Sequence, residues 1–137
     1  MEKCNCLCEI FAQINWWAFG GSVLLVFAVG ALWYSVLFAK AWKEVNKIDD
    51  TGEISAGNMV FTMLFQLLST ALVGLTFFIL TKVSLFLAIL VAVAIIGWMK
   101  STLKFRFTNW KIFFKAVVSE VGYFAVAALI FILFACI

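Results

Sequence analysis

Apolar residues fill four long stretches of this chain, separated by shorter polar connections. The stretches run from Trp16 to Ala39, Met59 to Thr81, Val83 to Met99 and Ile112 to Ile137. Each is near the roughly 20 residues that an α-helix needs to cross about 30 Å of hydrocarbon, and the third is the shortest. The pattern predicts an all-α polytopic membrane protein, with a four-transmembrane-helix bundle over residues 16–137 and an extracytoplasmic cysteine-rich tail over 1–15.

Composition supports a membrane protein and narrows its chemistry. The chain is 66% hydrophobic and only 12% charged, whereas soluble domains carry about 25% charged residues. The first stretch is too long for the apolar core of a secretion signal and its flank is not basic, so we expect it to remain as an anchor. The chain has no histidine, which excludes Ser-His triads, histidine metal sites and histidine-ligated haem. No cofactor is predicted.

The distribution of positive charge predicts the orientation. Eight of the ten Lys and Arg residues lie in or beside the first and third connections, and only Lys3 and Lys82 serve the other side. Cytoplasmic loops carry an excess of Lys and Arg. Both termini are therefore expected on the extracytoplasmic side of the plasma membrane.

Basic and aromatic residues alternate at the predicted cytoplasmic boundary. Such residues anchor helices, because their apolar parts sit in the bilayer while their polar ends reach water. A basic-aromatic patch can also bind nucleic acid, but in so apolar a chain the lipid bilayer is the expected partner. The predicted anchoring residues are Lys40, Trp42, Lys104, Arg106 and Trp110.

Polar side chains of three predicted helices fall at one depth. At 1.5 Å per residue, Gln66 and Glu120 both lie roughly 10–12 Å below the cytoplasmic boundary, and Tyr34 and Ser35 are slightly shallower. We therefore expect these side chains to converge. The predicted binding residues are Glu120, Gln66, Tyr34, Ser35, Tyr123 and Trp33.

Glu120 gives this cluster its functional interest. A charge inside the membrane costs at least about 2.5–3.5 kcal/mol, so intramembrane acids usually have a function. The alternative is that Glu120, Gln66 and Tyr34 only hold helices together, since interhelical hydrogen bonds average about 0.6 kcal/mol each. Both readings remain open from sequence.

Four cysteines are expected on the outer side: Cys4, Cys6, Cys8 and Cys136. An even number in an oxidising compartment permits disulfides, and Cys136 can meet the tail if the first and last helices are neighbours. A loose tail is equally compatible with the pattern. Metal binding is less favoured because the spacing does not match paired C-x-x-C knuckles. Lipid attachment is less favoured because no apolar run before Cys4 makes a lipoprotein processing site.

Two motifs resemble a known family. The first span opens with Asn15-Trp16-Trp17, closes with Gly30-Ala31-Leu32-Trp33-Tyr34-Ser35 and continues through Leu37-Phe38, Lys40 and Trp42; the last contains Glu120-Val121-Gly122-Tyr123. The chain thereby resembles the small bacterial membrane family catalogued as domain of unknown function seventeen sixty-one. Val36 and Ala39 replace that family's proline and glycine. The resemblance implies a four-helix integral membrane protein and brings no established activity.

Three functions are compatible with the sequence. The first is an oligomeric transporter or channel-like bundle that binds a proton or cationic solute at Glu120. The second is a non-catalytic accessory subunit that packs on other membrane proteins or lipids. Rows of small residues such as Ala31, Ser35 and Ala39 permit close helix association, so a homo-oligomer or another membrane protein is an expected partner. An enzyme is least expected, because no nucleophile-base pair is recognisable.

Overall fold

The described residues form a bundle of packed helices. The computed structural model describes residues 3–46, 56–106 and 109–137, and of these the side chains at 3–7, 46, 56, 58–59 and 100–106 are left out of the description. These ranges are almost entirely helical and contain no strand, which confirms the all-α prediction for them. The helices are α1 (Lys3–Ala12), α2 (Trp16–Leu32), α3 (Ala39–Asn46), α4 (Ala56–Val83), α5 (Leu85–Arg106), α6 (Trp110–Ala116) and α7 (Gly122–Ala135).

Two of the long helices contain a wider, π-helical turn. The first π turn (Trp33–Leu37) continues α2, and the second π turn (Val117–Val121) joins α6 to α7. Each is defined by backbone bonds spanning five residues: Phe38 donates to the carbonyl of Trp33 over 2.8 Å, and Gly122 donates to the carbonyl of Val117. Such turns are rare and often occur at functional sites.

Among the described residues, three helices are long and apolar enough to cross a membrane: Trp16–Leu37, Val60–Val83 and Trp110–Ala135. They correspond to the first, second and fourth predicted spans. The third predicted span corresponds to a shorter apolar helix, Leu85–Met99. At about 1.5 Å per residue this helix measures roughly 22 Å. The structure therefore supports a membrane protein with three spanning helices, and a fourth crossing is not established.

The predicted tail contains a helix, α1, that ends close to the bundle. The ring of Phe11 stacks on Trp16 with centroids 6.5 Å apart, and Ile14 is buried. The side chain of Asn15 then begins α2 by accepting a hydrogen bond from the amide of Ala18, as N-terminal caps do. Apolar contact thus holds the end of this segment against the membrane domain.

Helix α7 is central in the bundle. It packs against α2, α4 and α5, and α4 in turn packs against α2 and α5. A Cβ atom on Gly74 of α4 would lie 2.6 Å from the ring of Phe131 in α7, so only glycine permits this approach. The core is the set of buried apolar residues Ile14, Val23, Val26, Phe77, Phe78, Ala88, Ala92, Ala127, Ala128, Phe131 and Ala135.

A second, smaller cluster closes the end of the bundle where the π turns lie. There α3 packs on α6, burying Val45 against Phe113, Ala116 and Val121. The ammonium group of Lys115 forms an ion pair with the carboxylate of Glu44 at the surface of this contact. The α3 segment is thereby placed beside the π turns.

Candidate binding cleft between α2, α4 and α7

A cleft of about 410 Å³ lies between α2, α4 and α7, beside the first π turn. Several of its lining residues are exposed, so the cleft opens on the side of the bundle. A smaller cavity of about 150 Å³ between α4 and α7 shares Gln66 and Tyr123 with it. The cleft is lined by Phe27, Gly30, Ala31, Tyr34, Trp42, Thr62, Met63, Gln66 and Tyr123.

Three aromatic rings form one part of the lining. The ring of Tyr34 lies between those of Tyr123 and Trp42, with centroid distances of 5.3 Å and 5.8 Å. The planes are inclined at 66° and 62°. Steep angles of this kind are favourable between aromatic rings. Because of these angles, the three rings line the cleft in different orientations.

The two π turns are joined directly by a hydrogen bond. The indole N–H of Trp33 donates to the main-chain carbonyl of Ser119 over 3.1 Å. In a π turn the backbone hydrogen bonds are spaced differently from those of the flanking α-helix. A side chain from a neighbouring helix can then form a hydrogen bond to the backbone there. Trp33 therefore fixes the first π turn against the second.

Two glycines allow this contact to be close. A Cβ on Gly122 would lie 3.1 Å from the ring of Trp33, and a Cβ on Gly30 would lie 2.7 Å from the hydroxyl oxygen of Tyr123. That hydroxyl donates to the carbonyl of Val26 over 3.2 Å. Each helix thus places one aromatic side chain over a glycine of the other, with a hydrogen bond to its backbone.

Glu120 lies on the second π turn and is partly buried. Its carboxyl group is close enough to interact electrostatically with the hydroxyl of Tyr34. It is not one of the cleft-lining residues. Within the described ranges no hydrogen bond or ion pair to this carboxyl group is recorded, and the nearby cation Lys115 pairs with Glu44.

The structure brings together some of the predicted binding residues and separates others. Tyr34, Gln66 and Tyr123 line one cleft, and of these Tyr34 and Gln66 were placed at nearly the same depth by the sequence. Ser35 does not: it is exposed, and its hydroxyl donates to the carbonyl of Ala31 in its own helix. Trp33 also lies outside the lining and instead connects the π turns.

Sequence reasoning assigned one cleft residue to a different role. Trp42 was expected only as an interfacial anchor, but its ring packs on Tyr34 and lines the cleft. The reason is the π turn, which precedes α3 and has no clear sequence signal here. Phe27 and Met63 were also missed, although Met63 could have been found three residues before Gln66 on the same helix.

Two of the four other predicted anchors have described side chains. Lys40 and Trp110 are exposed, while the side chains of Lys104 and Arg106 lie outside the described residues. Trp110 packs edge-on against Phe113 at a centroid distance of 5.4 Å. The side chain of Asn109 caps α6 by accepting from the amide of Lys111 over 2.9 Å.

Two of the four cysteines can be placed. Cys8 and Cys136 are exposed free thiols, and both lie toward the end of the bundle where Ile14 and Ala135 share a buried cluster. The side chains of Cys4 and Cys6 fall outside the described residues, so the disulfide stays a prediction. In the part of the chain that is described, no group of three His, Cys, Asp or Glu residues is arranged to hold a metal.

No protein-family model, curated protein or solved structure matches this chain. The described residues define a helical protein with three helices that are long and apolar enough to span a membrane, and with a lateral aromatic cleft. A function for the cleft is therefore argued from the residues that line it.

Proposed function

We propose that this protein is a small transporter or channel-like bundle that binds a cation, either a proton or a cationic solute, beside Glu120. The single observation that carries the proposal is a carboxyl group within a helix long and apolar enough to span, which interacts electrostatically with Tyr34 and has no ion pair among the described residues. A charge there is costly unless a proton or cation neutralises it. The cleft supplies space for such a cation beside the same tyrosine.

The proposal includes four crossings, with α5 as the third. Its apolar part is short, but the helix continues to Arg106 through Lys100 and Lys104. Long basic side chains extend to the interface and allow a short helix to span. Both termini then face outside, and a bacterial inner membrane is the proposed location. We propose no catalytic step, since the chain lacks histidine and shows no recognisable nucleophile-base pair.

Substitution of Glu120 tests the proposed transport function. We expect Glu120→Gln to abolish cation or proton flux into liposomes while the protein still folds, because the amide keeps the size and loses the charge. Glu9→Gln is the matched control, since Glu9 is exposed on α1. Flux that survives Glu120→Gln would exclude the proposal, as would a parent protein that carries no proton or cation at all.

One observation favours the alternative of an accessory subunit. The side chain of Gln66 is exposed although it lies within a spanning helix, and an amide without partners is unfavourable in hydrocarbon. A second copy or another membrane protein would cover it with a polar group. In that case Gln66→Leu is expected to disrupt a detergent-stable complex, whereas Leu68→Ala, another exposed position on α4, is expected to preserve it.

A further inference from the structure

We propose that the cleft binds an organic ammonium ion with an apolar body, and this assignment rests on the proposed cation-binding function. The first argument is size. The volume of about 410 Å³ falls within the range of small-molecule sites, roughly 300–1,000 Å³. A bare metal ion would leave most of this space to water or lipid. The cleft therefore fits a molecule of several carbon atoms.

The second argument is the chemistry of the walls. Tyr34, Trp42 and Tyr123 contribute three aromatic rings at steep mutual angles. The negative faces of such rings attract cations, and quaternary ammonium groups are typically recognised by cages of this type. Phe27, Ala31 and Met63 add apolar surface for the remainder of the ligand.

The third argument is the position of the charge. Among the described residues, no lysine, arginine, aspartate or glutamate lines the cleft, so this part of the lining offers no ionised ligand of the kind that Ca²⁺ requires. The carboxyl group of Glu120 does not line the cleft, but it is close enough to interact electrostatically with Tyr34, which does. An ammonium ion benefits from this negative charge without direct coordination, because electrostatic attraction is weakly screened in a low dielectric.

The fourth argument is the direction of access. Ala31, Thr62, Met63 and Gln66 line the cleft and are exposed on the side of the bundle. This side belongs to two helices that are long and apolar enough to span the membrane. A ligand that partitions into the bilayer reaches the site laterally, and an ammonium ion with an apolar body has that property.

The decisive experiment compares two ligands of nearly identical shape. Phenyltrimethylammonium carries a charged nitrogen at the position where tert-butylbenzene carries a neutral carbon. Full-length protein in nanodiscs is titrated with each, with empty nanodiscs as the blank, and tryptophan fluorescence reports binding. We expect saturable binding of phenyltrimethylammonium and at least tenfold weaker binding of tert-butylbenzene. Equal binding of both would overturn the assignment, and this comparison needs no variant.

Variants of Trp42 locate the binding. Trp42→Leu is expected to weaken phenyltrimethylammonium binding about 2- to 30-fold, the range for loss of one cation–π contact. Trp42→Phe keeps a ring and is expected to retain most of the affinity. Trp17→Leu is the matched control, because Trp17 is 92% exposed and lies outside the cleft. Affinity unchanged in Trp42→Leu would place the ligand elsewhere and refute the assignment.

The outcome separates this assignment from the proposed function. If phenyltrimethylammonium does not bind while flux of protons or Na⁺ still requires Glu120, the ligand class is wrong and the transport function stands. If phenyltrimethylammonium binds but no cation is carried, the cleft is an ammonium site and the transport function is wrong. Absence of both binding and flux would remove both.

Discussion

At the scale of single residues, helix geometry decides which predicted side chains meet. Depth along the membrane normal follows from the rise per residue, which is why Tyr34, Ser35, Gln66 and Glu120 were expected at one level. Of these four, Tyr34 and Gln66 line the cleft, and Ser35 and Glu120 do not. Direction around the helix axis is a separate condition. Consecutive residues of a helix point in different directions, about 100° apart in an α-helix and somewhat less in a wider π turn, so Trp33, Tyr34 and Ser35 do not share a face.

The clearest test at this scale concerns the N–H group of Trp33. Trp33→Phe keeps an aromatic ring near Gly122 but removes the donor to the Ser119 carbonyl. We expect the free energy of unfolding in mixed micelles to fall by about 0.6–1.7 kcal/mol, the range for polar contacts between membrane helices. The measurement is titration with a denaturing detergent.

Trp17→Phe is the matched control for that substitution. Trp17 is 92% exposed, so the same chemical change there removes no contact with the bundle. We expect its unfolding curve to match the parent protein. Equal destabilisation by Trp33→Phe and Trp17→Phe would mean that the bond between the π turns contributes nothing to stability.

At the scale of helices, hydropathy predicted the spans because a bilayer requires long apolar helices. It did not predict the π turns, since no proline or repeated glycine marks Trp33–Leu37 or Val117–Val121. The two turns contact each other through the hydrogen bond from Trp33 to Ser119, a tertiary contact that hydropathy does not reveal, and Trp42 lies in the helix that follows the first turn. The close contact of α4 with α7 was also missed, although Thr70 and Gly74 are four residues apart and form a small-xxx-small pair of the kind that lets helices approach closely.

Packing of α4 against α7 is tested at Gly74. Gly74→Ala places a methyl group 2.6 Å from the ring of Phe131, which is 1% exposed and has little room to move. Overpacking of this kind costs about 1–3 kcal/mol, and we expect that loss in the free energy of unfolding. Gly20→Ala is the control, because a Cβ there meets no atom within 4 Å. A Gly74→Ala protein as stable as Gly20→Ala would refute this close contact.

At the scale of the whole molecule, the helix directions determine where the ends lie. A Cβ on Gly21 would be 3.9 Å from Phe134, whereas Gly30 approaches Tyr123, so α2 and α7 run antiparallel. The start of α2 and the end of α7 therefore lie at one end of the bundle, and the π turns lie toward the other. This antiparallel arrangement agrees with an even number of membrane crossings, as the proposed fourth span requires.

The accessibility of the two exposed thiols, Cys8 and Cys136, tests the number of membrane crossings. Proteins with only one of these cysteines are treated with a membrane-impermeant maleimide in right-side-out vesicles. We expect both to react, because the excess of Lys and Arg places the opposite end in the cytoplasm. Lys111→Cys on a cysteine-free background is expected to react only after permeabilisation, since Lys111 is exposed at that opposite end. Reaction of Cys8 without Cys136 would mean an odd number of crossings and would exclude α5 as a span; protection of both would reverse the orientation.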